Sequence, residues 1–213
     1  MKKIMLGFGL AVALVLAGCT IGASIEQQLA DAMTVMTSAE KKYREVQAEL
    51  TELEKTEQQL FNETMKLTQQ QQEELTTKVT ELEALLSQRL DKLEQEEASM
   101  DKAKASAREL DAITKKADEQ VKGSIEELKS AVDERYVYHA EFITAYKQLT
   151  ALQKELYEML RAEETQLMEL TAQVDEVNTQ NDTVKSAVTL FNDSTEKVNI
   201  LKADVFADLK KEK

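Results

Sequence analysis

The chain has 213 residues, of which 31% are charged, and its formal net charge is −13 at pH 7. It contains one cysteine, one histidine, five glycines and no proline or tryptophan. A disulfide within one chain is therefore excluded. The negative charge also argues against nucleic-acid binding, which relies on a basic surface to contact phosphates.

The first 18 residues have the features of a secretory signal peptide. Lys2 and Lys3 form a basic start, and residues 4–17 are apolar apart from Gly7 and Gly9. A helix that spans a membrane needs about 20 apolar residues. The segment is too short for a permanent span and matches the apolar part of a signal peptide.

The end of this segment, Leu16-Ala17-Gly18-Cys19, resembles the lipobox of bacterial lipoproteins. The resemblance implies cleavage between Gly18 and Cys19 and a diacylglyceryl group on the Cys19 thiol. Two acyl chains give stable anchoring where one gives only reversible binding. We therefore expect Cys19 to hold the mature chain at the extracytoplasmic face of a bacterial membrane. The alternative is an ordinary secretory signal that happens to contain a cysteine.

Residues 19–24 form a short tether, and the pattern from Ile25 onward is typical of long helices. Glu, Lys, Gln, Leu and Ala dominate, and Gly123 is the only glycine after Gly22. Strands and hairpins need glycine and proline at their turns. Apolar residues instead recur at alternating spacings of three and four, as in an antiparallel helical seam. Four such runs cover residues 25–67, 75–121, 125–160 and 167–209.

Capping signals support the first two helix starts. Ser24 with Gln27 has the spacing of a capping box before the first run. The seam register shifts between the first and second runs, where Thr68–Gln71 can form another box. We therefore expect one helix over 25–67 and a turn near residue 68.

A second register shift separates Val121 from Ile125. Gly123 lies within it and is suited to end one helix, and Ser124 with Glu127 would cap the next. The sequence therefore predicts a turn at Gly123.

The last break is the least marked. A single helix from residue 124 to 209 would be about 130 Å long, far longer than the first two. Thr165 is a candidate N-cap, so we place a turn at 162–166. A second candidate is Asn178–Thr183, which is poor in helix-forming residues.

These runs predict an all-α fold, an elongated up-and-down antiparallel bundle of four long helices that forms a single domain over 25–213. The alternatives are a three-helix rod with a protruding end and a coiled-coil hairpin. A thin seam of Leu, Val and Ala offers no globular ligand pocket.

No catalytic, cofactor-binding or metal-binding site is predicted. Cys19 is expected to be acylated, which leaves His139 as the only other candidate for nucleophilic or zinc chemistry. Its neighbours on the same helix face, Arg135 and Phe142 among them, include no carboxylate. We expect His139 to be a hydrogen-bonded core residue; the alternative is a pH-responsive seam.

Several adjacent acids occur, but glycosidase chemistry needs two carboxylates facing each other across a cleft. Neighbouring acids on a helix point in different directions, so we expect most of them to lie on solvated surface. The pairs are Glu73-Glu74, Glu96-Glu97, Glu126-Glu127 and Glu163-Glu164.

Aromatic residues cluster at Tyr136, Tyr138, Phe142 and Tyr146. The cluster indicates either a wider layer of the bundle, which we favour, or a surface on which carbohydrate or peptide stacks. The polar seam positions Asn181 and Thr195 are expected to set register.

The mature region resembles the cell-wall-binding lipoproteins of Gram-positive bacteria, the YkyA-like family. The resemblance rests on Lys154–Leu160, Val177-Asn178, Leu190–Asn192 and Val205-Phe206, which follow a lipobox and two long helices. It implies an extracytoplasmic helical lipoprotein that acts near the wall, and it carries no catalytic signature.

Three functions compete. The first is a non-catalytic, lipid-anchored spacer or interaction module that contacts wall polymer or an envelope protein. The second is a carboxylate-based wall hydrolase, and the third is a self-associating coiled coil. Loss of residues 1–18 would leave 25 basic and 40 acidic residues, so binding to anionic wall polymers would need specific contacts, divalent cations or another protein.

Overall fold

The computed structural model describes residues 23–211, and this part of the chain is helical with no strand. A single 3₁₀ turn, Gln69–Gln71, lies between the second and third α-helices. The α-helices are α1 Ile25–Ala39, α2 Lys41–Thr64, α3 Gln72–Ala107, α4 Glu109–Lys116, α5 Glu119–Arg161 and α6 Leu167–Lys211.

The six helices form four antiparallel arms, because α1 continues into α2 and α3 into α4. At one end, the proximal end, the start of α1 meets the end of α4 through Lys116 and Gln28, whose Nζ and Oε1 atoms are 3.2 Å apart. At the other, distal end, Gln72 donates to the Arg161 carbonyl at 2.9 Å, which joins the α2–α3 turn to the α5–α6 turn. The predicted all-α, four-helix bundle is confirmed, and the three-helix rod is not formed.

The buried apolar side chains fall into three clusters along the bundle. The proximal cluster draws on α1, α3, α4, α5 and the C-terminal part of α6, with Leu29, Leu110 and Ile125 fully buried. A central cluster surrounds Leu93, and a distal cluster surrounds Leu82 and Leu86. The predicted seam is therefore the core of the bundle.

The first arm is broken at Glu40, where the sequence predicted one uninterrupted helix over 25–67. The Ser99 hydroxyl from α3 donates to the Ala39 carbonyl at 2.7 Å and accepts from the Tyr43 N–H at 3.1 Å. It therefore stands between the two groups that an unbroken helix would join, a known cause of kinks. The second arm is also interrupted, at Arg108 between α3 and α4.

Two predicted caps are confirmed. The Ser24 hydroxyl accepts a hydrogen bond from the Gln27 N–H at 3.2 Å and opens α1. Thr68 and Gln71 form the predicted capping box, which opens the 3₁₀ turn that leads into α3.

The predicted turn at Gly123 is wrong. The chain turns at Ala117 and Asp118, which have extended backbone, and α5 already runs through Gly123 and Ser124. Val121 and Ile125 are four residues apart, so one helix places both on its buried face. The register shift therefore requires no break.

The turn predicted at 162–166 is confirmed, since α5 ends at Arg161 and α6 begins at Leu167. The residue before α6 is Gln166 rather than Thr165, and its N–H donates to the Glu169 carboxylate at 3.2 Å. The alternative break at Asn178–Thr183 is wrong, because this segment lies inside α6.

Candidate functional site

The seam positions that the sequence leaves charged come together inside the bundle. Glu57, Arg89, Glu96, Arg135 and His139 are all at least 93% buried. Burying an ionised group costs several kcal/mol unless partners satisfy it. In residues 23–211, Gln69 aside, no buried side-chain nitrogen or oxygen lacks a hydrogen-bond partner.

The Arg89 cluster lies in the distal half and joins α2, α3 and α5. Arg89 Nη1 donates to Glu57 at 2.6 Å, and Arg89 Nε donates to the Tyr146 hydroxyl at 2.8 Å. Glu57 also accepts from the Tyr157 hydroxyl at 2.6 Å. The Tyr146 hydroxyl in turn donates to Glu54 at 2.6 Å. Each buried charge therefore has an opposite charge and a phenol as neighbours.

Burial and these partners shift the ionisation of the Arg89 cluster. Burial by itself lowers the pKa of Arg89, but the Tyr146 and Glu57 oxygens outweigh it and leave that pKa above its usual value. Burial is the main cause that raises the pKa of Tyr146 and of Tyr157. The cluster thus holds Arg89 as a cation and keeps the two phenols neutral.

The Arg135 cluster lies near the break between α1 and α2 and reaches all the way to α6. Arg135 donates to both oxygens of Glu40, at 2.6 and 3.1 Å, and to the Thr195 hydroxyl at 2.8 Å. Its guanidinium carbon lies 4.9 Å from the centre of the Phe191 ring. Thr195, which the sequence predicted to set register, is thus a polar contact between α5 and α6.

His139 is a hydrogen-bonded core residue, as expected, and its partner is the fully buried Glu96 on α3. The His139 Nε2 and Glu96 Oε1 atoms are 3.0 Å apart, and Gln47 donates to the other Glu96 oxygen. The Tyr43 and Phe191 rings both pack edge-on against the His139 imidazole. Glu96 is 43 residues away from His139 in the chain and lies on another helix, so the residues on the His139 helix face did not predict this contact.

The aromatic cluster is part of the core. Tyr136, Phe142 and Tyr146 are buried, and the half-buried Tyr138 donates to Glu134 at 3.3 Å. These contacts fit the wider layer of the bundle rather than a stacking surface. Asn181 is half-buried on α6.

The adjacent acids divide as helix geometry requires. Glu96 is buried whereas Glu97 pairs with Lys147 at the surface, at 2.7 Å. The other three pairs are exposed. Among the described residues, no three His, Cys, Asp or Glu side chains are placed to share a metal ion.

Three large apolar residues are exposed at the distal end, and they include the two most exposed ones of the described chain. Leu167 and Met168 in the first turn of α6 are 78% and 77% exposed, and Met65 in the α2–α3 turn is 48% exposed. We call these three residues the distal tip. Between residues 23 and 211, no helix has the length and apolar character needed to cross a bilayer.

The predicted cleavage and lipidation residues, Gly18 and Cys19, lie outside the described residues. Ala23 is the first described residue, at the proximal end. Any anchor on Cys19 would therefore join the bundle at that end.

Known proteins resemble this chain in sequence and in fold. A lipoprotein of Bacillus subtilis (strain 168), named "Uncharacterized lipoprotein YkyA", is 27% identical over 204 residues, which cover 95% of this chain and 91% of that protein. A crystal structure at 1.6 Å of a conserved protein of unknown function from Staphylococcus aureus superimposes with a TM-score of 0.72. The match covers 85% of this chain and 91% of that one at 19% identity, so it shows the fold alone.

The chain also matches a protein family over most of its length. Residues 24–208 match the model of the YkyA family, described as "Putative cell-wall binding lipoprotein". The match spans nearly the whole bundle, from the Ser24 cap to the last turn of α6. The chain therefore belongs to the YkyA family of lipoproteins.

Proposed function

We propose that the protein is a non-catalytic, lipid-anchored spacer that presents its distal tip to the cell wall or to an envelope protein. The proposal rests on one observation: Ala23, the first described residue, and the distal tip lie at opposite ends of the bundle. With 45 residues, α6 alone is about 67 Å long.

The interior supports a structural role. Within the Arg89 cluster, the Arg135 cluster and the His139–Glu96 pair, the buried polar groups are hydrogen-bonded to each other. They are therefore not free to bind a substrate. Surface depressions are shallow grooves, such as the one lined by Leu60, Glu63 and Glu81 between α2 and α3. Substrate sites are usually deeper and mostly apolar.

The anchor is assigned to Cys19. Replacement Cys19→Ser should remove the acyl mass and release the protein from the membrane fraction, because serine has no thiol to which the diacylglyceryl group can be attached. Intact-mass analysis and fractionation measure both. The assignment would be contradicted if the variant stayed in the membrane fraction as the parent does and the parent carried no acyl mass.

Wall contact is assigned to the distal tip. The mature protein should sediment with purified cell walls at physiological salt, and Leu167→Ser/Met168→Ser should weaken this binding. The matched control is Val137→Ser/Ile200→Ser, which removes two exposed apolar side chains from the sides of the bundle, where they are 50% and 55% exposed. Equal losses in both variants, or no binding by the parent, would contradict the assignment.

A further inference from the structure

We propose that the proximal end of the bundle docks on anionic phospholipid headgroups through four lysines, Lys115, Lys116, Lys210 and Lys211, and so holds the molecule upright. The inference rests on the proposed anchor at Cys19. Residues 19–24 reach at most about 20 Å when fully extended. The proximal end therefore stays close to the bilayer surface.

The four lysines lie in the last turns of two helices that both end at the proximal end of the bundle. Lys115 and Lys116 are in the last turn of α4, and Lys210 and Lys211 are in the last turn of α6. All four are exposed. Lys116 contacts Gln28, and Lys211 contacts Asp208 at 2.8 Å, so these two lysines are positioned at the edge of the proximal end.

Stabilisation of helix C-termini by cations does not explain this placement. A lysine near a helix C-terminus complements the helix dipole wherever the helix ends. However, α2, which ends at the distal end, has no basic residue in its last turn, and α5 has only Arg161. Among the described helices, only α4 and α6 carry a lysine pair in the last turn, and both end nearest the proposed anchor.

The charge of the bundle differs from end to end. Over residues 23–28, 113–122 and 207–211, five lysines oppose four acids, a charge of +1. Over residues 63–74 and 161–169 at the distal end, two basic residues oppose six acids, a charge of −4. The whole described chain carries 24 basic and 39 acidic residues. Almost all of the negative charge therefore lies away from the proximal end.

This asymmetry favours one orientation on an anionic membrane. The Debye length is about 8 Å at physiological salt, so only residues near the surface feel its potential. An upright bundle brings the near-neutral, lysine-bearing end into this layer. A bundle lying flat brings acidic sides into it and is repelled. Juxtamembrane lysines are attracted to anionic lipids over the same distance.

The test uses the lipidated mature protein in vesicles of phosphatidylcholine, with or without phosphatidylglycerol, an anionic lipid that gives the surface a negative potential. Because Cys19 is the only cysteine and would be acylated, a new cysteine takes a single dye. Ala207→Cys labels the proximal end and Leu167→Cys the distal tip. Energy transfer to a headgroup acceptor reports the distance of each dye from the bilayer.

Anionic lipid should increase transfer from the proximal dye and leave transfer from the distal dye at background. The variant Lys115→Gln/Lys116→Gln/Lys210→Gln/Lys211→Gln should lose this increase, as should high salt. The control Lys41→Gln/Lys55→Gln/Lys154→Gln/Lys185→Gln removes the same charge from exposed side positions and should keep it.

Each other result is decisive. Increased transfer from the distal dye on anionic vesicles, or an equal loss in the control variant, would overturn the upright docking while leaving the anchor intact. So would a proximal signal that does not depend on lipid charge. Failure of the parent protein to acquire an acyl group and enter vesicles would overturn the anchor, and the docking with it.

Discussion

The two buried arginines occupy opposite halves of the bundle and differ in what they connect. Arg135 joins Glu40 at the start of α2 to Thr195 and Phe191 on α6. Arg89 joins α2, α3 and α5, and within residues 23–211 its hydrogen-bond and ion-pair partners include no residue of α6. Arg135 therefore ties α6 into the proximal half, whereas the Arg89 cluster leaves α6 at the periphery of the distal half.

The apolar packing follows the same division. Every buried residue of α6 lies at Val184 or later, and α1 contacts α6 in the proximal half. Before Val184, residues such as Leu170 and Val174 are only half-buried against the distal cluster. The seam pattern is equally regular in both parts of α6, so a regular pattern does not by itself establish how completely a helix is enclosed.

High pH should disrupt both halves and gives the largest expected effect. Burial, helped by the nearby Glu96 carboxylate, raises the pKa of Tyr43 to about 12, and burial likewise raises the pKa of Tyr136, Tyr146 and Tyr157. An unfolded tyrosine ionises near pH 10. The stabilisation from neutral phenols is thus complete below pH 10 and is lost as the pH rises through 12.

Urea unfolding between pH 8 and 12, with tyrosinate absorbance as a second readout, measures this loss. Tyr157→Phe in the distal half should flatten the decline above pH 10 more than Tyr43→Phe, because the pKa of Tyr157 is raised further. Ionisation of Tyr43, Tyr136, Tyr146 and Tyr157 near pH 10 without unfolding would show that these buried phenols are accessible and would contradict the prediction.

The next largest effect should come from replacing each buried arginine, and the loss in the free energy of unfolding should differ between the two halves. Arg89→Met leaves Glu57 buried without its cation and should lower the free energy of unfolding by about 3–5 kcal/mol. Arg135→Met should cost less, about 1–3 kcal/mol, because the Glu40 side chain is 13% exposed, against 4% for Glu57. Urea denaturation of the two variants gives the comparison.

The double variant Arg89→Met/Glu57→Leu tests the reason. Removing both members of a buried pair is often close to neutral, so the double variant should regain most of the stability lost in Arg89→Met. The Tyr157 hydroxyl loses its acceptor, which sets the remaining deficit. A double variant as unstable as the single one would indicate that packing rather than charge accounts for the loss.

The periodic and local features of the fold were predictable from the sequence. The seam defines the four arms, and the Thr68–Gln71 capping box and the 162–166 turn mark two of the reversals. The break at Glu40 was not predictable, because its cause is a hydroxyl from Ser99 on another arm. The sequence of one helix contains no information about such an insertion.

The polar interior shows the same limit of local reasoning. Arg135 and His139 were visible as polar seam positions, but their partners Glu40 and Glu96 are 95 and 43 residues away in the chain. The seam did contain a usable signal. Its acidic positions Glu57 and Glu96 equal in number the positions Arg89 and His139, with which they pair. Pairing opposite charges across antiparallel seams would have proposed both contacts.

Matched truncations on α6 compare the enclosure of the two halves directly. Val205 is 1% exposed in the proximal cluster, and Val174 is half-buried in the distal part. Val205→Ala should lower the free energy of unfolding by about 2 kcal/mol and Val174→Ala by less than about 1 kcal/mol, following the apolar area that each methyl pair buries. Equal losses in thermal or urea unfolding would mean that α6 is enclosed along its whole length.

The smallest expected effect is a gain, and it falls in the proximal half. Gly123 is an exposed residue inside α5, and a Cβ added there meets no atom within 4 Å. Since no turn occurs at this position, Gly123→Ala should raise the free energy of unfolding by about 0.5–1 kcal/mol, the difference in helix propensity. Ser130→Ala, at an exposed position farther along α5, is the control and should gain less, because serine is a better helix former than glycine. A loss of stability in Gly123→Ala would mean that residue 123 needs a glycine conformation after all, and that the chain turns where its sequence first suggested.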